Sequence, residues 1–152
     1  ALAAWALDLD TSGDAAGGLR EALRLFNDLE DAIRDALGLL PRLLAEWSTA
    51  AVAAKKRMAS HPGYHAAWCL LESTHPKSAH AMAAEVAELS EGIGLAPTPL
   101  LSGEDLIAAG HRPGPLFAVA LEAAYDAQLA GVVDTAEAAM AIADRTFRDD
   151  LT

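Results

Sequence analysis

The amino-acid sequence predicts an all-α fold, a bundle of about seven helices that ends in a helical tail lobe. Apolar residues make up 53% of the 152-residue chain. Alanine, the strongest helix former, dominates them, while β-branched residues are sparse. Apolar residues also recur at spacings of three and four, the period of a helix face, and no segment shows the alternation typical of a strand. Close-packed helices therefore account for the pattern better than a sheet does.

The first predicted helices occupy residues 1–7 and 18–40. We expect Pro41 to end the second, because proline removes a helical hydrogen bond. Its apolar stripe is expected to face the core, with the acidic residues mostly outside it. The stripe consists of Leu19, Leu23, Phe26, Leu29, Ile33, Leu37 and Leu40.

Three further helices are predicted before a segment rich in glycine and proline. The first runs from residue 43 to about residue 59, the second covers 64–73, and the third covers 78–91. Proline or glycine residues separate them. The Gly/Pro-rich segment is expected to divide the chain into a helical body lobe and a three-helix tail lobe. The predicted organisation is a body at 1–92, a linker at 93–99 and a tail at 100–152.

The tail begins with a corner between two predicted helices that is rich in glycine and proline. Ser102 is expected to cap a short helix by a capping box, and the glycine at 110 is expected to end that helix in the left-handed conformation. A Pro-Gly-Pro turn then starts a helix that runs to about residue 131, and the last helix starts at Asp134 or Thr135, with Glu137 completing its cap. The structural residues of this motif are Gly103, Asp105, Leu106, Gly110, Pro113, Gly114, Pro115 and Gly131.

The net charge of −11 argues against a nucleic-acid-binding surface over most of the chain. Residues 41–65 are the exception, with a net charge of +3. Their Lys55-Lys56-Arg57 run, followed by His61, is the candidate contact for a phosphate backbone. The alternative is a solvated helix end, where cations are favourably placed near the C-terminus. Arg112, beside the predicted helix start at Pro115, is a further candidate because free helix amides attract phosphate.

The corner and the helix after it resemble the C-terminal segment of bacterial CCA-adding tRNA nucleotidyltransferases, the family that also includes poly(A) polymerases. That segment has the form Leu-Leu-x-Gly-x-Asp-Leu-Ile-x-x-Gly-x-x-Pro-Gly-Pro, followed by Ala-Gln-Leu-x-Gly. The matching residues here are Leu100, Leu101, Gly103, Asp105, Leu106, Ile107, Gly110, Pro113, Gly114, Pro115, Ala127, Gln128, Leu129 and Gly131. Residues 23–30 and 55–71 are similar to the family's preceding helices.

The resemblance implies a C-terminal body-and-tail fragment that grips tRNA, from an enzyme that adds C and A residues to the tRNA 3′ end. The family's Gly-Gly-Ser-x-Arg-Asp run is absent from this sequence, so no catalytic residue is assigned, and Asp8-Leu9-Asp10 lacks that glycine-rich context. We therefore expect an inactive fragment that binds no metal or other cofactor, while the Mg²⁺ of the reaction belongs to the catalytic head. The expected partner is tRNA, and neither DNA nor a membrane is expected.

Other function classes remain open. An acidic, stand-alone protein-interaction module would also use this helical surface. A metal-dependent phosphohydrolase would need clustered His and Asp residues, whereas His61 and His65 have Pro62 and Gly63 between them. Cys69 is expected to be a small buried residue, because apolar residues flank it. The longest apolar runs are shorter than the roughly 18 residues of a membrane-spanning helix, which favours a cytoplasmic protein.

Overall fold

The computed structural model describes residues 15–149. The predicted helix at 1–7 and the Asp8-Leu9-Asp10 segment lie outside the described residues. Within residues 15–149 the backbone forms seven α-helices and no strand, which confirms the all-α prediction. The helices are α1 (Ala15–Glu46), α2 (Val52–Ala59), α3 (Tyr64–Thr74), α4 (Pro76–Ser90), α5 (Gly103–Ala108), α6 (Pro115–Leu129) and α7 (Ala136–Asp149).

Helix α1 does not end at Pro41, so the predicted break there is wrong. It is a continuous helix of 32 residues with Pro41 inside it. The carbonyl oxygen of Leu37 loses its usual amide partner at Pro41. Both residues are exposed, so water can satisfy that carbonyl. Burial of Leu39 and Leu43 on either side of the proline supplies packing energy that offsets the lost bond.

The predicted single helix over residues 43–59 is also wrong, because the chain turns directly after α1. The amides of Thr49 and Ala50 both donate to the carbonyl of Glu46, and α2 begins only at Val52. The turn directs α2 against α4 and α6. It thereby places the basic run of α2 against the rest of the body.

Three of the four residues of the predicted α1 core stripe whose side chains the structure describes face solvent, and the fourth, Leu40, is half-buried against the body. Leu29, Ile33 and Leu37 are exposed, while the neighbouring Ala36 and Leu39 are buried. The apolar arc of α1 is therefore wider than the area that the body covers. The sequence pattern located this arc correctly but did not distinguish its covered half from its free half.

The first hydrophobic cluster joins the C-terminal half of α1 to α2, α3 and α4. Tight packing of α1 against α3 depends on Gly63, at the start of α3. A Cβ atom at that position would lie 2.7 Å from the backbone carbon of Asp35. The buried members of the cluster are Ala36, Leu39, Leu43, Trp47, Met58, Ala59, Ala67, Leu71, Ala79 and Met82. Cys69, by contrast, is exposed on α3, so the prediction that it is buried is wrong.

The second hydrophobic cluster joins α5, α6 and α7. Leu106 of α5 is fully buried in it, and Phe117 and Phe147 meet edge to face with ring centres 5.8 Å apart. Its buried members are Leu101, Leu106, Ala120, Ala124, Val133, Ala139 and Ala143. Helix α2 also packs against α6, which connects the two clusters. None of the helices in residues 15–149 is both long enough and apolar enough to cross a membrane.

Candidate functional site

The basic run of α2 lies at the junction of the two hydrophobic clusters rather than on a free surface. Lys55, Lys56 and Arg57 are consecutive on a helix, so their side chains leave α2 about 100° apart. Each one reaches a different part of the protein. The structure therefore separates three cations that the sequence places side by side.

Lys55 pairs with Glu85 of α4. Its Nζ lies 2.5 Å from Glu85 Oε1 and 5.8 Å from the centre of the Trp47 ring. The Trp47 indole N–H donates to the other carboxylate oxygen of Glu85 at 2.7 Å. The hydrogen bond from Lys55, helped by the one from Trp47, lowers the pKa of Glu85 below its ordinary value, although partial burial opposes the shift.

Lys56 and Arg57 hold the linker and the tail. Lys56 is only 5% exposed and donates to the carbonyl oxygen of Gly94 at 3.0 Å. Arg57 donates to Asp126 Oδ1 from Nε at 2.7 Å, lies 3.7 Å from Glu122, and covers the Tyr125 ring at 5.3 Å. These contacts fasten α2 to residues 94 and 122–126. Lys56 and Arg57 thus have a structural role at the body–tail junction and Lys55 has one within the body, and their predicted contact with RNA stays a prediction.

His61 lies in a different place, beside two arginines of α1. A surface cleft of about 200 Å³ is lined by Arg34, Asp35, Gly38, Leu39, Arg42 and His61. The cleft is open at Gly38, because no atom lies within 4 Å of the position that a Cβ atom of this residue would occupy. The Gly63 amide donates to His61 Nδ1 at 3.1 Å, which orients the ring. We refer to this group as the α1 cleft.

Among the residues that the structure describes, exposed carboxylates of the same helix are the partners of the two arginines of the α1 cleft. Arg34 bonds Glu30 and Asp31 at 2.6 Å each, and Arg42 lies 3.4 Å from Glu46. Exposed pairs of this kind contribute little free energy, so a phosphate can displace them. Sequence reasoning missed the cleft because Arg34 stands among acidic residues and Arg42 stands alone among leucines, both far from His61 in the sequence.

The corner between α5 and α6 has the local geometry that its sequence predicts. Ser102 Oγ accepts the Asp105 amide at 3.3 Å, and the Ser102 amide donates to the Asp105 carboxylate at 2.8 Å, which forms the capping box. The bonds from Ser102 lower the pKa of Asp105. Gly103 is the first residue of α5 and Pro115 the first of α6.

The glycines at 110 and 131 end α5 and α6 in the same way. Gly110 has a φ of 94° and Gly131 a φ of 72°, in the left-handed region. After each, the next amide bonds back to the helix, from His111 to Leu106 and from Val132 to Ala127. This is the hydrogen-bond pattern of the Schellman motif. Gly114 is extended at −177°, so its backbone conformation does not require glycine.

Gln128, in the Ala-Gln-Leu-x-Gly part of the motif, binds the linker. Its amide group donates to the Thr98 carbonyl at 2.9 Å and accepts the Leu100 amide at 3.0 Å. The Tyr125 hydroxyl donates to the Pro97 carbonyl nearby at 3.0 Å. A buried glutamine therefore satisfies backbone groups at the end of the linker and the start of the tail, which gives this motif residue a structural role.

Arg112 projects from the corner, exposed, with no ion pair or hydrogen bond to any residue that the structure describes. Beside it, His111 Nε2 lies 2.8 Å from Asp144 Oδ1, and its ring stacks on Phe147 at 4.1 Å. Sequence reasoning did not single out this pair, because 33 residues separate its members. Among the described residues, no serine or cysteine lines the groove at this pair, so none of them supplies the nucleophile of a hydrolytic triad.

No group of three or more His, Cys, Asp or Glu side chains within residues 15–149 is arranged to hold a metal ion. Comparisons of the chain with models of known families, with curated proteins and with solved structures find no significant match. The α1 cleft, the corner and the exposed surface are therefore the features of the described residues that bear on function.

Proposed function

We propose that this chain is the tRNA-binding body-and-tail part of a cytoplasmic CCA-adding tRNA nucleotidyltransferase. The observation that carries the proposal is the corner at residues 100–131. Asp105, Gly110 and Gly131 belong to the motif that carries the family resemblance. Each has a defined role in the fold, because Asp105 forms a capping box with Ser102 and the two glycines end their helices in the left-handed conformation. In the parent enzyme a catalytic head with Mg²⁺ transfers C and A residues, and this part binds the tRNA.

Two exposed positions are suited to phosphate contact. The α1 cleft offers Arg34, Arg42 and His61 around a small depression. Arg112 offers a further cation, beside the N-terminus of α6, where the helix dipole favours an anion. The acidic remainder of the surface repels RNA that is not held at these positions. Lys56 and Arg57 support binding indirectly, because they fasten the body to the linker and the tail, while Lys55 fastens α2 to α4 within the body.

The proposal is tested by measuring binding of the chain to tRNA and to an unstructured RNA of equal length across a salt series. We expect preference for tRNA, with affinity that falls as salt rises. Replacing Arg34 and Arg42 together with Gln removes two phosphate contacts and should reduce the salt slope by about two. Arg145→Gln, at an exposed position of α7, is the matched control and should leave the slope unchanged. Equal binding of both RNAs, or an unchanged slope in the double variant, would contradict the proposal.

An acidic protein-interaction module is the second candidate function. The observation that favours it is the row of exposed apolar side chains on α1, Leu29, Ile33, Leu37 and Leu44. Contiguous apolar surface of this kind is typical of interaction sites. The dye 8-anilinonaphthalene-1-sulfonate, which fluoresces on apolar surfaces, should bind this row. Ile33→Glu should weaken its binding, and unchanged fluorescence would count against the module.

A further inference from the structure

Helix α1 carries an apolar ridge that nothing in the described residues covers. The ridge consists of Leu29, Ile33, Leu37 and Leu44, whose exposed fractions are 58%, 50%, 57% and 49%. Their spacing places them on one side of the helix. At 1.5 Å per residue the ridge is about 22 Å long. It is therefore long enough to pack along another helix rather than to fill a single pocket.

The exposure extends around the whole helix at the ridge's N-terminal end. Every residue in 27–34 is exposed, whereas Ala36, Leu39 and Leu43 are buried in the body. A helical segment without tertiary contacts is marginally stable in water, because most helical stability in proteins comes from packing. This segment of α1 therefore gains stability from any partner that covers the ridge.

The charged residues beside the ridge are arranged so that they complement those of a second copy of α1. Glu30 precedes Arg34 by one turn, at the edge of the ridge. If two α1 helices lie antiparallel with Ile33 at the two-fold axis, Leu29 of each copy lies opposite Leu37 of the other. The same register places Arg34 of each copy beside Glu30 of the other, and the two interactions are equivalent by symmetry.

We propose that two copies of this chain associate through the α1 ridge, with their α1 helices antiparallel and Ile33 at the centre. This deepens the second proposed function by naming its partner. The ridge is narrow compared with the interfaces of stable dimers, so the association is concentration-dependent. Dimerisation removes the four apolar side chains of each copy from water. It also replaces the ion pair between Glu30 and Arg34 of one helix with ion pairs between Glu30 of one copy and Arg34 of the other.

The first test is sedimentation velocity of the chain over concentrations from about 1 to 200 µM. We expect the mass to rise from monomer to dimer. Ile33→Glu places two like charges at the axis and should weaken association by about tenfold or more. Val132→Glu is the control, because Val132 is exposed, at 72%, and lies outside the ridge. A monomer at every concentration, or a dimer unaffected by Ile33→Glu, would overturn the proposal.

The second test reads the helix orientation by disulfide cross-linking in a Cys69→Ser background. In that background an introduced cysteine is the sole thiol of the chain. Ile33→Cys should cross-link two copies readily, because both thiols lie at the axis. Leu44→Cys should not, since antiparallel helices place the two positions about 33 Å apart. Efficient cross-linking at both positions would indicate parallel helices and overturn the proposed register.

The dye experiment separates failure of this proposal from failure of the module itself. A monomer that binds the dye, with binding weakened by Ile33→Glu, would overturn self-association but retain the ridge as an interaction surface. A monomer whose dye binding is unchanged by Ile33→Glu would overturn both. Retained tRNA binding in Ile33→Glu would show in addition that the ridge and the α1 cleft act separately.

Discussion

At the scale of single residues, charged side chains connect parts of the chain that are far apart in sequence. Glu85 accepts hydrogen bonds from Lys55, 30 residues away, and from Trp47, 38 residues away. Arg57 reaches Asp126 across 69 residues. A cluster of cations in a sequence therefore does not indicate a basic surface when the acidic partners come from other helices. This is why the Lys55–Arg57 run was predicted as a phosphate contact but lies at a structural junction.

The pKa of Glu85 leads to a prediction about pH. Because it is lower in the folded protein than in the unfolded chain, the carboxylate stabilises the fold above its ordinary pKa of about 4.3, and this contribution is lost as pH falls through the lowered value. Glu85→Gln should reduce the free energy of unfolding by about 0.5–1 kcal/mol at pH 7, a modest value because the side chain is 38% exposed.

Urea unfolding at several pH values, followed by tryptophan fluorescence, measures this difference. The gap between Glu85→Gln and the unchanged protein should close as the pH falls below the ordinary pKa of glutamate and through the lowered pKa of Glu85. Glu88→Gln, exposed on the same helix, is the matched control and should show little difference at pH 7. A Glu85→Gln deficit that persists undiminished in acid would mean that the ion pair with Lys55 is not its source.

At the scale of helices, the sequence predicted helix caps and turns well, but it predicted poorly how the helices pack against each other. The capping box and the left-handed glycine at 110 depend on residues within a few positions of each other, so the sequence contains all that determines them. The break predicted at Pro41 failed because packing of Leu39 and Leu43 outweighs a local penalty. The prediction that the apolar stripe of α1 faces the core was largely wrong, because a wide apolar arc does not specify which of its halves the other helices cover.

The contact between α1 and α3 gives a prediction for two glycines. Gly63→Ala places a Cβ less than 3 Å from three atoms of Asp35 and Ala36, two of them in the α1 backbone. The helices must separate, and we expect a loss of about 1–3 kcal/mol in the free energy of unfolding. Gly38→Ala is the matched control inside α1. It meets no atom within 4 Å and should stabilise the protein by up to about 1 kcal/mol.

Thermal and urea unfolding of both variants test this contact. Opposite signs for the two Gly→Ala substitutions would support close packing of α1 on α3. A Gly63→Ala variant as stable as the unchanged protein would show that the helices are farther apart than described. These two variants also test the exposure of the α1 ridge, since the position of α1 on the body decides which of its apolar residues remain exposed.

At the scale of the whole molecule, two hydrophobic clusters are joined by a small set of polar contacts. Arg57 is central among them, because it bonds Asp126, lies near Glu122 and covers the Tyr125 ring. The buried Lys56 fastens the linker from the same helix. These contacts link the body, which contains the α1 cleft, to the linker and the tail, which contains the corner. Their strength therefore decides whether the body and the tail behave as one unit.

Arg57→Met tests this coupling, because methionine retains an apolar stem but loses the ion pairs. We expect a loss of about 1 kcal/mol, since the pairs are partly exposed, and earlier unfolding of α6 and α7 than of α3 and α4. Hydrogen exchange measured by mass spectrometry resolves the two regions. Arg145→Met on α7 is the control and should leave both unchanged. If Arg57→Met raised exchange equally in both regions, the clusters would be one cooperative unit, and the junction would contribute stability without setting the boundary between body and tail.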